Sequence, residues 1–258
     1  MRRVLIEQHQ PAIGFEHNVE FSDHAHDAER DGEERSGSKW RGRLADCARP
    51  ALTTGMSLDN AAMTVFGDSI SGNCLKVKFV ADRLGLPYDW VEISVLKGET
   101  RTADFLAMSP MGQVPVVRFA DNGVLAQSNA IMLHLAENTD LIPRPPFERA
   151  QMFQWLFWEQ YSHEPAIAVL RFQKLYLKKK DGEIDPNLRT RCQKALTLMN
   201  EHLAGRTYFV GRKLSLADIA LVAYTRFAHE AGLVLAQFAN VRAWVRRVED
   251  DLRIEHLS

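Results

Sequence analysis

A chain of 258 residues with three cysteines and a net charge of −1 has room for one large or two small domains, but too few cysteines for a disulfide framework or a zinc cluster. Its 46% hydrophobic and 25% charged residues are ordinary for a globular protein, and the near-zero charge leaves no electrostatic footprint for nucleic acid or an acidic membrane. No apolar run approaches the roughly 18 residues of a membrane span, and Met1-Arg-Arg-Val-Leu-Ile6 passes at once into Glu7-Gln-His-Gln10 without a signal-peptide core, so a reducing cytoplasm is expected.

Residues 1–62 read differently from the rest. The stretch from His24 to Lys39 is almost devoid of large apolar side chains. It cannot bury enough surface to offset its ordering entropy, so disorder is expected. His24 and His26 are read there as parts of a solvated loop, not as metal ligands. Met63 opens a strand that needs nothing before it and is the expected functional start, with 1–62 a dispensable leader.

Thr64 to Phe66 forms a short apolar strand, and Gly67 to Gly72 is rich in turn formers. Val77, Val80, Ala81 and Leu84 then recur at i, i+3, i+4 and i+7, one buried helix face. Ser71 is the N-cap candidate of that helix. A helix start aims unpaired N–H groups and partial positive charge at its surroundings, which suits a thiolate. Ser71 therefore either caps the helix or serves a group bound there. Cys74, three positions on, is either a redox thiol of lowered pKa or an inert cysteine on the buried stripe; the second reading is favoured.

Tyr88 to Val95 is a second strand and Thr102 to Ala107 a helical turn. Gly112 to Phe119 is a strand that opens with Pro115, Asp121-Asn-Gly123 signals a hairpin, and Val124 to Ala126 is the partner strand. Ser128 is expected to cap a helix with Ile131, Leu135 and His134 facing inward. This order predicts a small α/β domain of thioredoxin-like type over 63–140. A proline-rich linker, 141–147, leads to an all-α domain over 148–258. Its first helix should run from Glu148 to about Leu177 with a bend near Pro165. A second helix covers Leu188 to Leu203. Ser215 and Asp218 have capping-box spacing before an apolar helix, Ile219 to Glu230, expected at the centre of a second core. Asn240 to Leu252 places Val241, Trp244, Val245 and Val248 on one face. Phe153, Phe157 and Trp244 are read as core, and Cys192 as structural.

Four motifs together resemble those of the cytosolic glutathione transferase superfamily: Ser69-Ile-Ser-Gly-Asn73, Ser109-Pro-Met-Gly-Gln-Val-Pro115, Leu125-Ala-Gln-Ser-Asn-Ala-Ile131 and Gly211-Arg-Lys-Leu-Ser-Leu-Ala-Asp218. The first is most similar to bacterial, serine-type, phi-like members. The resemblance covers residues 63 to about 252 and implies the two-domain glutathione transferase fold. It implies that Ser71 is the catalytic hydroxyl and that glutathione is the co-substrate, with no metal. A cis Val114–Pro115 bond would present the Val114 backbone to the cysteinyl part of glutathione. Gln127 and Ser128 would hold its γ-glutamyl end, and Arg101 and Gln113 its glycine end, with Lys97 the rival of Arg101. Gln127 stands where the family more commonly has Glu, which removes a charge partner. Trp158, Tyr161 and His163 are the candidates for a small hydrophobic electrophile, and a homodimer is implied. Two alternatives stay open: a glutathione-dependent disulfide reductase or peroxidase using Cys74, and a non-catalytic binding or assembly module.

Overall fold

The computed structural model describes residues 63–257. The expectations for 1–62, among them disorder and a functional start at Met63, lie outside the described residues. A parallel pair, β1 (Met63–Gly67) and β2 (Tyr88–Glu92), is joined through helix α1 (Gly72–Leu84). The antiparallel hairpin β3 (Val116–Arg118) and β4 (Val124–Ala126) completes a four-stranded sheet of order β2-β1-β3-β4.

Strand alternation sorts the sheet's side chains. Val65 and Val117, which pair in register, join the large core with α1 and with α3 (Ser128–Leu135). Phe66 and Val116 point the other way and meet Phe105 of α2 (Ala103–Met108) in a small cluster. Strand β2 is shorter than predicted. After Ile93 donates to the Gly67 carbonyl at 2.8 Å, the chain turns away, and Val95 N–H is taken by the Asp68 carboxylate at 3.2 Å.

The helical domain contains α4 (Pro146–Trp158), α5 (Glu164–Leu175), α6 (Pro186–His202), α7 (Leu216–Thr225) and α8 (Ala239–Leu252). Helix α4 starts inside the predicted linker, with Pro146 in its first turn, where a missing N–H costs nothing. Near Pro165, where a bend is expected, the α-helical pattern is interrupted. A five-residue π-helical turn, Glu159–His163, lies between α4 and α5, and Pro165 follows in the first turn of α5.

The capping box at Ser215 is formed, and Asp218 takes part in more than the cap. Its carboxylate accepts Ser215 N–H at 3.0 Å and Ser215 Oγ–H at 2.8 Å, and also Phe209 N–H and Trp244 Nε1–H at 2.9 Å each. Every residue of α7 is buried. Its core is not a separate second one, however. Apolar side chains of α1, α3, α4, α7 and α8 form one continuous cluster across both domains. Leu141, in the predicted linker, belongs to it, and its carbonyl accepts Leu216 N–H at 3.1 Å. Two side chains depart from expectation: His134 is exposed and lies edge-on to Phe119, and Phe157 is 72% exposed where a core position was read.

Candidate active site

The loop from β1 to α1 is held from three sides. Asp68 accepts Ile70 N–H at 3.2 Å, and Glu92 accepts both Ser69 N–H and Ser69 Oγ–H at 2.9 and 3.0 Å. Arg171 of α5 donates to the Ile70 carbonyl at 2.6 Å. Ser71 has extended backbone angles and its carbonyl accepts Leu75 N–H, as an N-cap requires, but its side chain makes no capping bond. The hydroxyl lies instead near the Tyr224 phenol and the Cys74 sulfur. Tyr224 is buried in α7, and burial raises its pKa further, so it stays protonated at neutral pH. Its oxygen accepts Asn73 N–H at 3.3 Å. Its ring lies flat under Gly72, where any Cβ would fall 2.7 Å from the ring atoms, so only glycine fits.

A polar cleft of about 460 Å³ opens beside this loop. Ser71, Arg101, Gln113, Val114, Pro115, Gln127 and Ser128 all line it, and the Val114–Pro115 bond is cis. Arg101 Nη1 donates to the Met111 carbonyl at 3.4 Å and lies against Gly112, whose φ of +60° and lack of Cβ leave room for it. Lys97 is exposed and does not border the cleft. The expectation that Ser128 caps its helix is corrected. The cap position is Gln127, at φ +71°, and Ser128 is the first residue of α3. Ser128 Oγ donates to Asn73 Oδ1 at 3.2 Å, across to α1.

A smaller apolar cavity of about 140 Å³ adjoins the cleft, and Ser71 and Val95 belong to both. Ile70, Leu96, Ala168, Phe172 and Tyr176 provide its walls, with Arg171 at one side. Trp158, Tyr161 and His163 are not among them. Trp158 and Tyr161 face a groove of about 500 Å³ with Leu198 of α6. His163 is fully buried, with Nε2 2.9 Å from Thr225 Oγ1. Burial, helped by nearby Lys76, lowers its pKa to about 3, so it is neutral and out of reach of a ligand. The π turn sets the phase. Beyond it the stripe facing Ser71 carries Glu164, Ala168, Arg171 and Phe172, at i, i+4, i+7 and i+8. That spacing was readable in the sequence, but not which stripe would face the loop.

Cys74 is fully buried beneath the loop and its sulfur accepts Asp68 N–H at 3.3 Å. Burial pushes its thiol up to about 12, leaving a negligible thiolate fraction at neutral pH.

The sequence profile described as glutathione S-transferase, N-terminal domain, matches residues 70–138, and that of the glutathione S-transferase C-terminal domain matches 156–251. A crystal structure of glutathione S-transferase from Pseudomonas fluorescens superposes with a TM-score of 0.73 at 42% identity, covering 76% of this chain and 98% of the other. Glutathione S-transferase 3 of Zea mays is 30% identical over 61% of this chain and 74% of its own length. Elongation factor 1-gamma of Artemia salina is 34% identical over 50% of this chain, but the match spans only 30% of that longer protein. With both domain profiles matched in order, and a solved transferase aligned along nearly its whole length, the chain belongs to the glutathione S-transferase superfamily.

Proposed function

We propose that the protein is a serine-type, phi-like glutathione transferase. It would bind glutathione in the polar cleft and conjugate its thiol to a small hydrophobic electrophile in the adjoining cavity. The observation that carries this reading is the position of Ser71, which borders both the polar cleft and the apolar cavity. A sulfur beside Ser71 meets an electrophile without leaving its binding site, which is the positional requirement for the reaction.

Each wall has a fitting chemistry. Val114 N–H and C=O, next to the cis bond, pair with the cysteinyl backbone as an added strand would. The start of α3 at Ser128 is a site for the γ-glutamyl carboxylate, with Gln127 alongside. Arg101 and Gln113 take the glycine carboxylate. In this reading the Ser71 hydroxyl donates to the glutathione thiolate, and the Tyr224 phenol, which accepts Asn73 N–H, lies beneath the same turn. Ile70, Leu96 and Phe172 replace Trp158, Tyr161 and His163 as the electrophile's neighbours in this reading. We also propose a homodimer; the largely exposed Phe157 and Tyr161 are surfaces that association would cover. Among the described residues no helix is long and apolar enough to cross a membrane.

The test is retention on immobilised glutathione followed by a conjugation assay with an activated aryl chloride. Binding with turnover is expected. Binding without turnover would favour a non-catalytic module, the reading to which the match with a protein named as an elongation factor gives weight. The Cys74 reductase reading has no support in the buried, protonated thiol. Cys74→Ala should keep conjugation within about twofold and lower stability by about 1 kcal/mol, from the small cavity left. Loss of activity in a folded Cys74→Ala protein would restore the redox alternative.

A further inference from the structure

The residues lining the polar cleft include two with formal charge, Arg101 and Glu164. Arg101 ends the short helical turn before α2, whereas Glu164 opens α5 and reaches in from the helical domain. Behind Glu164 lies a buried ion pair. Lys76 Nζ is 2.8 Å from Glu159 Oε1, and neither side chain is exposed. Lys76 also donates to Asn73 Oδ1 at 2.8 Å. The other Glu159 oxygen is held by Gln160 Nε2 at 2.8 Å and Asn129 Nδ2 at 3.5 Å. Glu164, by contrast, takes its hydrogen bond from a neutral group, Asn73 Nδ2, at 3.2 Å. One lysine thus faces two carboxylates, and the cluster is one positive charge short. Burial pushes the Glu164 carboxyl upward; Lys76 opposes this and Glu159 adds to it. A half-buried carboxylate in that position is best balanced by a cation arriving with the ligand.

We propose that Glu164 is the seat of the ligand's α-ammonium group, binding the amino group of the γ-glutamyl residue while Ser128 holds its carboxylate. The assignment rests on the glutathione reading. Ser128 Oγ and Glu164 Oε1 each lie 3.2 Å from the same Asn73 side-chain amide. They stand around one amide, as the carboxylate and ammonium of an α-amino acid stand around one carbon. Gln127 brings no charge to the cleft, and its Nε2 lies 3.4 Å from Met111 Sδ. The helical domain therefore supplies the negative charge that the thioredoxin-like domain lacks at Gln127.

The experiment is calorimetric titration of the full chain and of Glu164→Gln with two ligands: glutathione, and its des-amino analogue glutaryl-cysteinyl-glycine. Gln is nearly isosteric and keeps an acceptor for Asn73. Wild type should prefer glutathione over the analogue by roughly 10–100-fold, the weight of one charge-assisted contact. Glu164→Gln should weaken glutathione by a similar factor and leave the analogue within about threefold. Unchanged glutathione binding by Glu164→Gln would overturn the assignment, and so would equal weakening of both ligands, which marks a structural role. Failure of the wild type to bind glutathione at all would instead overturn the parent reading, and this assignment with it.

Discussion

Ser71→Ala is expected to lower kcat for conjugation roughly 10–100-fold while glutathione affinity stays within about threefold. A hydrogen bond to a charged acceptor contributes about 1.5–3 kcal/mol, and the proposed one would act on the thiolate. In the proposed mechanism the hydroxyl donates to the ionised sulfur and not to the thiol, which would lower the thiol pKa in the complex. Removing it raises that pKa by about 1–2 units. The loss is therefore largest at or below neutral pH and shrinks as pH rises, moving the acid limb of the kcat profile to higher pH. In the proposed complex tripeptide binding is spread over Val114, Ser128 and Arg101, which line the cleft and which the substitution leaves in place. Ser71 makes no capping hydrogen bond, so the helix should not fray when the hydroxyl is removed. Full activity in Ser71→Ala, or a loss confined to affinity, would remove the residue from the chemistry.

The largest effect on stability is expected from Asp218→Ala, at about 3–5 kcal/mol in urea unfolding. Asp218 is fully buried and accepts four hydrogen bonds, from Ser215 N–H and Oγ–H, Phe209 N–H and Trp244 Nε1–H. Alanine leaves those donors without an acceptor, and a buried donor left unmade costs about 1–3 kcal/mol. The effect exceeds a lost helix cap, about 1 kcal/mol, because the carboxylate also ties the segment before α7 to α8. Asp218→Asn keeps the shape but turns an amide N–H toward groups that are themselves donors, so it should recover only part of the loss. A shift under about 1 kcal/mol in Asp218→Ala would reduce the motif to an ordinary cap. Tyr224 lies on the same helix as Asp218 and packs under Gly72, next to Ser71, so activity should fall with the folded fraction.

The parts of the site that could be read early are those made by neighbours in the chain. The turn-rich run before α1, the prolyl strand opening at Pro115 and the start of α3 each carry their own local signal, and all three border the cleft. The capping pair Ser215 and Asp218 was legible for the same reason: three residues of spacing define it. The two further donors to Asp218, from Phe209 and Trp244, were not, because nothing in their spacing to Asp218 marks the contact. Helix phase was the other gap. The sequence placed an aromatic-rich helix over residues 148–177, but the π turn at Glu159–His163 decides which stripe faces Ser71, and it turns Trp158 and Tyr161 toward α6.

The sequence alone determined the order of elements and the two-domain plan, because periodicity, turn chemistry and capping are short-range; the cis bond at Pro115 was implied by the family resemblance of the motifs. Only the tertiary structure decided that Ser71 borders two cavities, that Cys74 is sealed and protonated, and that Glu164 joins the cleft from 91 residues beyond Asn73. Burial and charge balance depend on which surfaces meet across the domain junction, and that is a property of packing, not of spacing along the chain.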